Sequence, residues 1–102
     1  MSNRNRKLPP VHPGEILRED LMEPLDLNVA TLARDLKIPA SRLRDIIRGR
    51  RAISTDTALR LGQYFGSTAQ FWMNLQATYD LEKAMVSTIA KIKRDVQPRK
   101  AA

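Results

Sequence analysis

The stretch from Asn28 to Arg51, NVATLARDLKIPASRLRDIIRGRR, reads as two short helices joined by a tight turn. Val29, Leu32, Ala33 and Leu36 recur at i, i+3, i+4 and i+7, the spacing of one apolar helix face. Asn28 stands just before that face, where its short side chain can accept a bond from an orphan amide of the first turn. Lys37, Ile38 and Pro39 interrupt the pattern, and proline has no amide with which to continue the ladder. A second apolar face follows in Leu43, Ile46 and Ile47. Gly49 closes it, since a left-handed residue after a helix is least strained as glycine. Ala33 is small, so the two helix backbones can cross closely there.

The second helix carries Ser41, Arg42, Arg44, Asp45 and Arg48 on its polar face, and Arg50 and Arg51 follow in the loop. An apolar inner face with an arginine-rich outer face suits insertion into a DNA major groove. With Asn28 and Thr31 at the start of the first helix, these residues form the expected DNA contact set. The plain alternative is a solvated basic face on an ordinary helical bundle. The turn, the small crossing residue and the concentration of charge favour DNA.

At 102 residues the chain can form one small domain with one helical core. No apolar run approaches the roughly 18 residues of a membrane span. The basic N-terminus lacks the apolar stretch of a signal peptide, so a cytoplasmic location and no membrane partner are expected. There is no cysteine, which excludes disulfides and any cysteine-based zinc finger. His12 is the single histidine, without the second ligand a metal site needs, and it is read as structural. No metal, cofactor or catalytic residue is expected.

The formal charge of +7 is unevenly spread. Residues 28–51 carry seven Lys or Arg against two Asp, residues 1–7 carry +3, and residues 91–100 carry +4. Residues 8–27 instead carry −4 and residues 52–90 carry −1. Positive charge therefore sits in the helix pair and the two ends, the footprint of a phosphate-binding surface.

Residues 1–11 have little apolar content and two adjacent prolines, and a flexible basic arm is expected. His12-Pro13-Gly14-Glu15 opens a helix, with Pro13 at the first helical position and Glu15 near the positive end of the dipole. Ile16, Leu17 and Leu21 supply its buried stripe, and Pro24 ends it. Glu19, Asp20 and Glu23 read as a solvated face, because no acid/base partner accompanies them and no nucleophile–base constellation can be assembled. Beyond the helix pair, Ser54 is the expected N-cap of a further helix, with Ile53 and Ala58 as its hydrophobic staple. Ala58, Leu59, Leu61 and Phe65 form that helix's core side, and Gly66 stops it. Ser67-Thr68-Ala69-Gln70 has the form of a capping box with Ser67 as cap. The helix that follows carries Phe71, Trp72, Leu75 and Tyr79, which close the core, form a dimer interface, or do both. Leu81, Ala84, Met85, Ile89 and Ile92 continue at helical spacing until Gln97-Pro98. That stripe either docks back on the domain or binds a partner. The expected layout is an arm over 1–11, a domain over 12–80 with its helix-turn-helix at 28–49, and a C-terminal helical extension and tail over 81–102.

HPGEILREDL (12–21), LARDLKIPASRLRDIIRGRRAIS (32–54) and GSTAQFWMNLQATYDLEKA (66–84) together resemble the Xre/Cro helix-turn-helix proteins. More narrowly they resemble the HigA-type antitoxins, also called addiction-module antidotes. The first and last segments are more specific than the helix-turn-helix itself. The resemblance covers roughly residues 11–84. It implies an all-α fold, a five-helix lambda-repressor-like DNA-binding domain with a C-terminal extension. It also implies a homodimer on a palindromic operator in double-stranded DNA, and neutralisation of a small, basic HigB-type toxin that cleaves mRNA on the ribosome. Such a toxin is expected to dock away from the recognition helix, on the acidic first helix or the tails. The chain departs from the family at Pro39, where Ser or Thr usually caps the recognition helix. Two other readings remain open from sequence: a stand-alone Xre-type regulator without a toxin, and a nonspecific RNA-binding or interaction module.

Overall fold

Apolar residues at helical spacing, with no alternating stretch, leave this chain only helices with which to build a core. The computed structural model describes residues 9–100, and it is all helical. Most of the basic arm expected over 1–11, and the last two residues of the tail, lie outside the described residues.

Helix α1, Pro13–Ile16, begins with proline at its first position, as expected, and with His12 as N-cap. It runs directly into a π-helical segment, Leu17–Met22, which the sequence pattern did not reveal. There the amide of Glu23 bonds the carbonyl of Arg18, five residues back, at 2.9 Å. The wider turn brings Leu17 and Met22 to the core, while Leu21, expected in the buried stripe, is only half-buried.

Helices α2, Val29–Leu36, and α3, Ala40–Ile47, form the helix-turn-helix. Asn28 caps α2 as expected, its Oδ1 accepting from the Thr31 amide at 2.8 Å. Lys37 ends α2 in the left-handed region, φ 61°, where glycine is usual. Ile38 then turns inward and is buried. Pro39 occupies the N-cap of α3 without a side-chain acceptor, and Ser41 stays exposed.

Helix α4, Thr55–Phe65, is capped by Ser54, whose Oγ accepts from the Thr57 amide at 3.2 Å. Its core side is Thr57, Ala58, Leu61 and Gly62. Leu59, expected in the core, is 60% exposed, because it lies one residue round the helix from Ala58. Arg60 donates to the Leu36 carbonyl at 3.0 Å and Tyr64 to Asp35 at 2.8 Å, tying α4 to the end of α2.

Helix α5, Ala69–Ser87, starts one residue later than the expected capping box. Thr68 is its cap, Oγ1 accepting from the Phe71 amide at 3.1 Å. Ser67 accepts instead from the indole Nε1 of Trp72 at 3.2 Å. The indole is fully buried, so Trp72 closes the core and has no surface to offer a partner. Trp72 packs there with Leu17, Leu32, Leu43, Ile46 and Leu61, each fully buried. No glycine or proline interrupts the chain between Tyr79 and Gln97, and α5 runs on to Ser87. Helix α6, Ile89–Asp95, follows after Thr88. This extension projects from the domain rather than folding back, giving extents of 54 × 27 × 23 Å. Among the described residues no helix is long and apolar enough to cross a membrane, and no group of three or more His, Asp or Glu is placed to hold a metal ion.

Candidate nucleic-acid interface

The inner face of α3 is fixed by Leu43 and Ile46, both fully buried, with Ile47 half-buried beside them. That leaves Ser41, Arg44 and Arg48 exposed, with Arg42 and Asp45 partly so. Asn28, Arg50 and Arg51 are exposed and Thr31 is half-exposed, so none of the expected contact residues is buried. Asn28 spends its oxygen on the α2 cap, which leaves its amide NH₂ free to donate. Among the described residues the ion pairs do not tie Asp45 to Arg42 or Arg48. The arginines of α3 are therefore not neutralised by neighbours on their own helix.

A second negative charge lies near this face. Asp56, in the first turn of α4, is held below the usual carboxylate range, chiefly by the hydrogen bond from Arg60 and also by the positive charges of Arg60 and Arg42. Asp56 stays ionised at neutral pH and lies within electrostatic reach of Arg42.

The loop after α3 is held from both ends. At its start the Gly49 amide bonds the Ile46 carbonyl at 3.0 Å, and the Arg50 amide bonds the Asp45 carbonyl at 2.8 Å. Gly49 has φ 74°, the left-handed conformation expected of it. At the loop's far end the Ile53 amide donates to Oε1 of Gln76 at 2.8 Å, and Nε2 of Gln76 donates to Asp80 at 3.0 Å. Gln76 is buried and is not among the residues expected at the site. Its signal was a glutamine between Trp72 and Tyr79 on a mostly apolar side of the helix.

Two further residues position α3. Gly14 lets α1 lie directly against the end of α3: a Cβ at Gly14 would stand 1.8 Å from the Ile46 carbonyl oxygen. His12 is buried, and its Nδ1 accepts from the Gly14 amide at 2.9 Å. The imidazole also covers Gly49, where an added Cβ would meet it at 3.6 Å, and it meets the Tyr79 ring edge-on with centroids 4.8 Å apart. The HPG segment thus locks α1, the end of α3 and α5 together. The structural reading of His12 stands, with a more central place than its sequence context implied.

Of the four residues expected at a dimer interface, Phe71 is 45% exposed, Leu75 and Tyr79 are half-buried, and Trp72 is withdrawn into the core.

A buried inner face, a short turn and an outward arginine face define a helix-turn-helix DNA-binding domain. A helix-turn-helix family model matches residues 19–72. Virulence-associated protein I of Dichelobacter nodosus is 49% identical over 76% of this chain and 72% of its own length. Among solved structures, the Pseudomonas aeruginosa antitoxin HigA with the higBA promoter is 47% identical, covering 87% of this chain and 97% of that one with a TM-score of 0.84. An addiction-module antidote of the HigA family from Coxiella burnetii is 43% identical, covering 90% and 100% with a TM-score of 0.83. The chain belongs to the Xre-type helix-turn-helix family, within its HigA-type antitoxin group.

Proposed function

We propose that this protein is a transcriptional repressor that binds a palindromic operator as a homodimer and serves as the antitoxin of a HigB-type, mRNA-cleaving toxin. The observation that carries the DNA-binding part is the rigid mounting of α3. Leu43 and Ile46 are fully buried behind it, and its arginines face outward without partners on their own helix. A base-reading arginine must reach guanine in a fixed geometry, and a loosely held helix would forfeit that discrimination. The likeness to an antitoxin solved with its promoter supports the same reading.

Within this function Arg42 and Arg44 read bases, Arg48, Arg50 and Arg51 hold phosphates, and Asn28, Thr31 and Ser41 add polar contacts to the backbone. Asp45 either accepts from cytosine N4 or orients a neighbouring arginine. The argument is positional. Arg42 and Arg44 lie in the N-terminal half of α3, which enters the groove in this architecture, while Arg48 to Arg51 lie at its end and in the loop. A bidentate arginine–guanine pair is worth about 1–3 kcal/mol of discrimination. Loss of a phosphate contact weakens all sequences alike and lowers the salt slope by about one unit.

The test is a binding titration on promoter duplex, single-base variants and random duplex at several salt concentrations. Arg42→Ala or Arg44→Ala should relax specificity at one or two positions, and Arg50→Ala should weaken promoter and random duplex by similar factors. If Arg50→Ala erased the promoter preference while the other two left it intact, the assigned roles would be inverted.

A further inference from the structure

The imidazole of His12 joins three parts of the molecule that the DNA-binding reading leaves separate. Nδ1 accepts the Gly14 amide and so caps α1. The ring covers Gly49, the residue that turns the chain out of α3, and the polar main chain of Arg51 lies near enough to act on its titration. Its edge meets Tyr79 of α5, over which Lys83 lies 5.7 Å from the ring centroid. The Gly49–Arg51 turn therefore packs against this one side chain at Gly49. Arg50 and Arg51 are themselves exposed, and Arg50 is tied down through its amide to the Asp45 carbonyl.

We propose that His12 is a positioning residue for DNA binding, its neutral ring holding the Gly49–Arg51 turn in the shape that sets Arg50 and Arg51 against phosphates. This rests on the DNA-binding function proposed above. Neutrality is required by the geometry. An Nδ1 that carries a proton cannot accept from Gly14, and two N–H groups would then face each other in a buried site. The groups facing the ring from every packed element are Glu15 on α1, the Arg51 main chain in the loop, and Tyr79, Asp80 and Lys83 on α5. Burial dominates and holds the His12 pKa below its ordinary value of 6.5, with Lys83 acting in the same direction. The Arg51 main chain, Asp80 and Glu15 oppose it. The sign follows. A depressed pKa means that the arrangement is fully formed above about 6.5 and is lost as pH falls through the shifted value.

A histidine that merely added charge near phosphates would do the reverse and tighten DNA binding in acid. The two roles therefore differ in sign. His12 is the only histidine in the chain, and ordinary carboxylates titrate below about pH 5, so the window between pH 7.5 and 5 belongs mainly to this ring.

The probe is a labelled duplex of the protein's own promoter, titrated from pH 7.5 to 5.0 with wild type and with His12→Asn. Asparagine keeps an N-cap acceptor and does not titrate. Wild type should lose affinity on acidification, by up to about tenfold per pH unit per protomer once below the shifted pKa. His12→Asn should stay level. At pH 7.5, His12→Ala, checked for folding by circular dichroism, should lower the salt slope by one to two units, as removal of phosphate contacts does. Wild-type binding that tightens or stays level in acid, a parallel fall in His12→Asn, or an unchanged salt slope in a folded His12→Ala would each overturn the role of His12. Absence of promoter binding by wild type at pH 7.5 would bring down the DNA-binding reading, and this inference with it.

Discussion

At Gly14 a single hydrogen atom is all that separates α1 from the last carbonyls of α3. An added methyl would lie 1.8 Å from the Ile46 oxygen and 2.6 Å from its carbonyl carbon, and neither is the end of a flexible side chain. The helices must part for it to fit, and overpacking of this kind costs about 1–3 kcal/mol or more. Gly14→Ala should therefore lower the melting temperature by roughly 10–20 °C for a domain of this size, as thermal unfolding would measure. Legibility at this scale follows sequence distance. Asn28, Ser54 and Gly49 could be read because their partners lie within five residues. Gln76 bonds an amide 23 residues away, and the partners of Gly14 and His12 lie across the fold in the α3 end and in α5. HPG was visible as a motif, but nothing local shows that it is the seat of the recognition helix.

The helices themselves were legible because their apolar spacing and stop signals are local. Their errors were of register. The α5 cap moved from Ser67 to Thr68 because the Trp72 indole, once buried, needs an acceptor, and Ser67 supplies it. Leu59 stands beside Ala58 in the expected core side, and the helix turn points it outward. The π-helical segment carries no proline or glycine to announce it. That segment also presents an acidic surface. Glu15, Glu19, Asp20, Glu23 and Asp26 are exposed, and only Glu19 and Glu23 are engaged by Arg18, each at 2.9 Å. In a chain of net charge +7 this is the place where a basic partner meets attraction. Opposed charges act mainly on the rate of encounter. With a co-purified HigB-type toxin, Glu19→Lys together with Asp20→Lys should slow association roughly tenfold at low salt, measured by stopped-flow fluorescence. An unchanged on-rate would move the toxin to another surface.

At the scale of the whole molecule, the projecting extension is the feature that one copy leaves unexplained. Leu81, Met85 and Val96 are 64%, 53% and 63% exposed, and Ile92 is 45% exposed. At 3.6 residues per turn, Phe71, Leu75, Met85 and Ile89 also fall on one side of the α5–α6 rod. A single chain of this size rarely leaves so continuous an apolar surface in water. A second copy packed along the rod would cover it, and the proposed operator-bound homodimer needs its two recognition helices on one face of DNA, about 34–36 Å apart for adjacent half-sites. The sequence left open whether this stripe docks back or meets a partner, because periodicity shows that a face is apolar and not what covers it. Leu81→Glu with Met85→Glu puts charge into that face while touching none of the core cluster. The variant should keep its helical circular dichroism and its melting cooperativity, yet sediment as a monomer at micromolar concentration. Its affinity for promoter duplex should fall at least a hundredfold, because each half-site must then be bound alone and the gain from linking the two is lost. A variant that still sediments as a dimer would place the interface off this face of the rod.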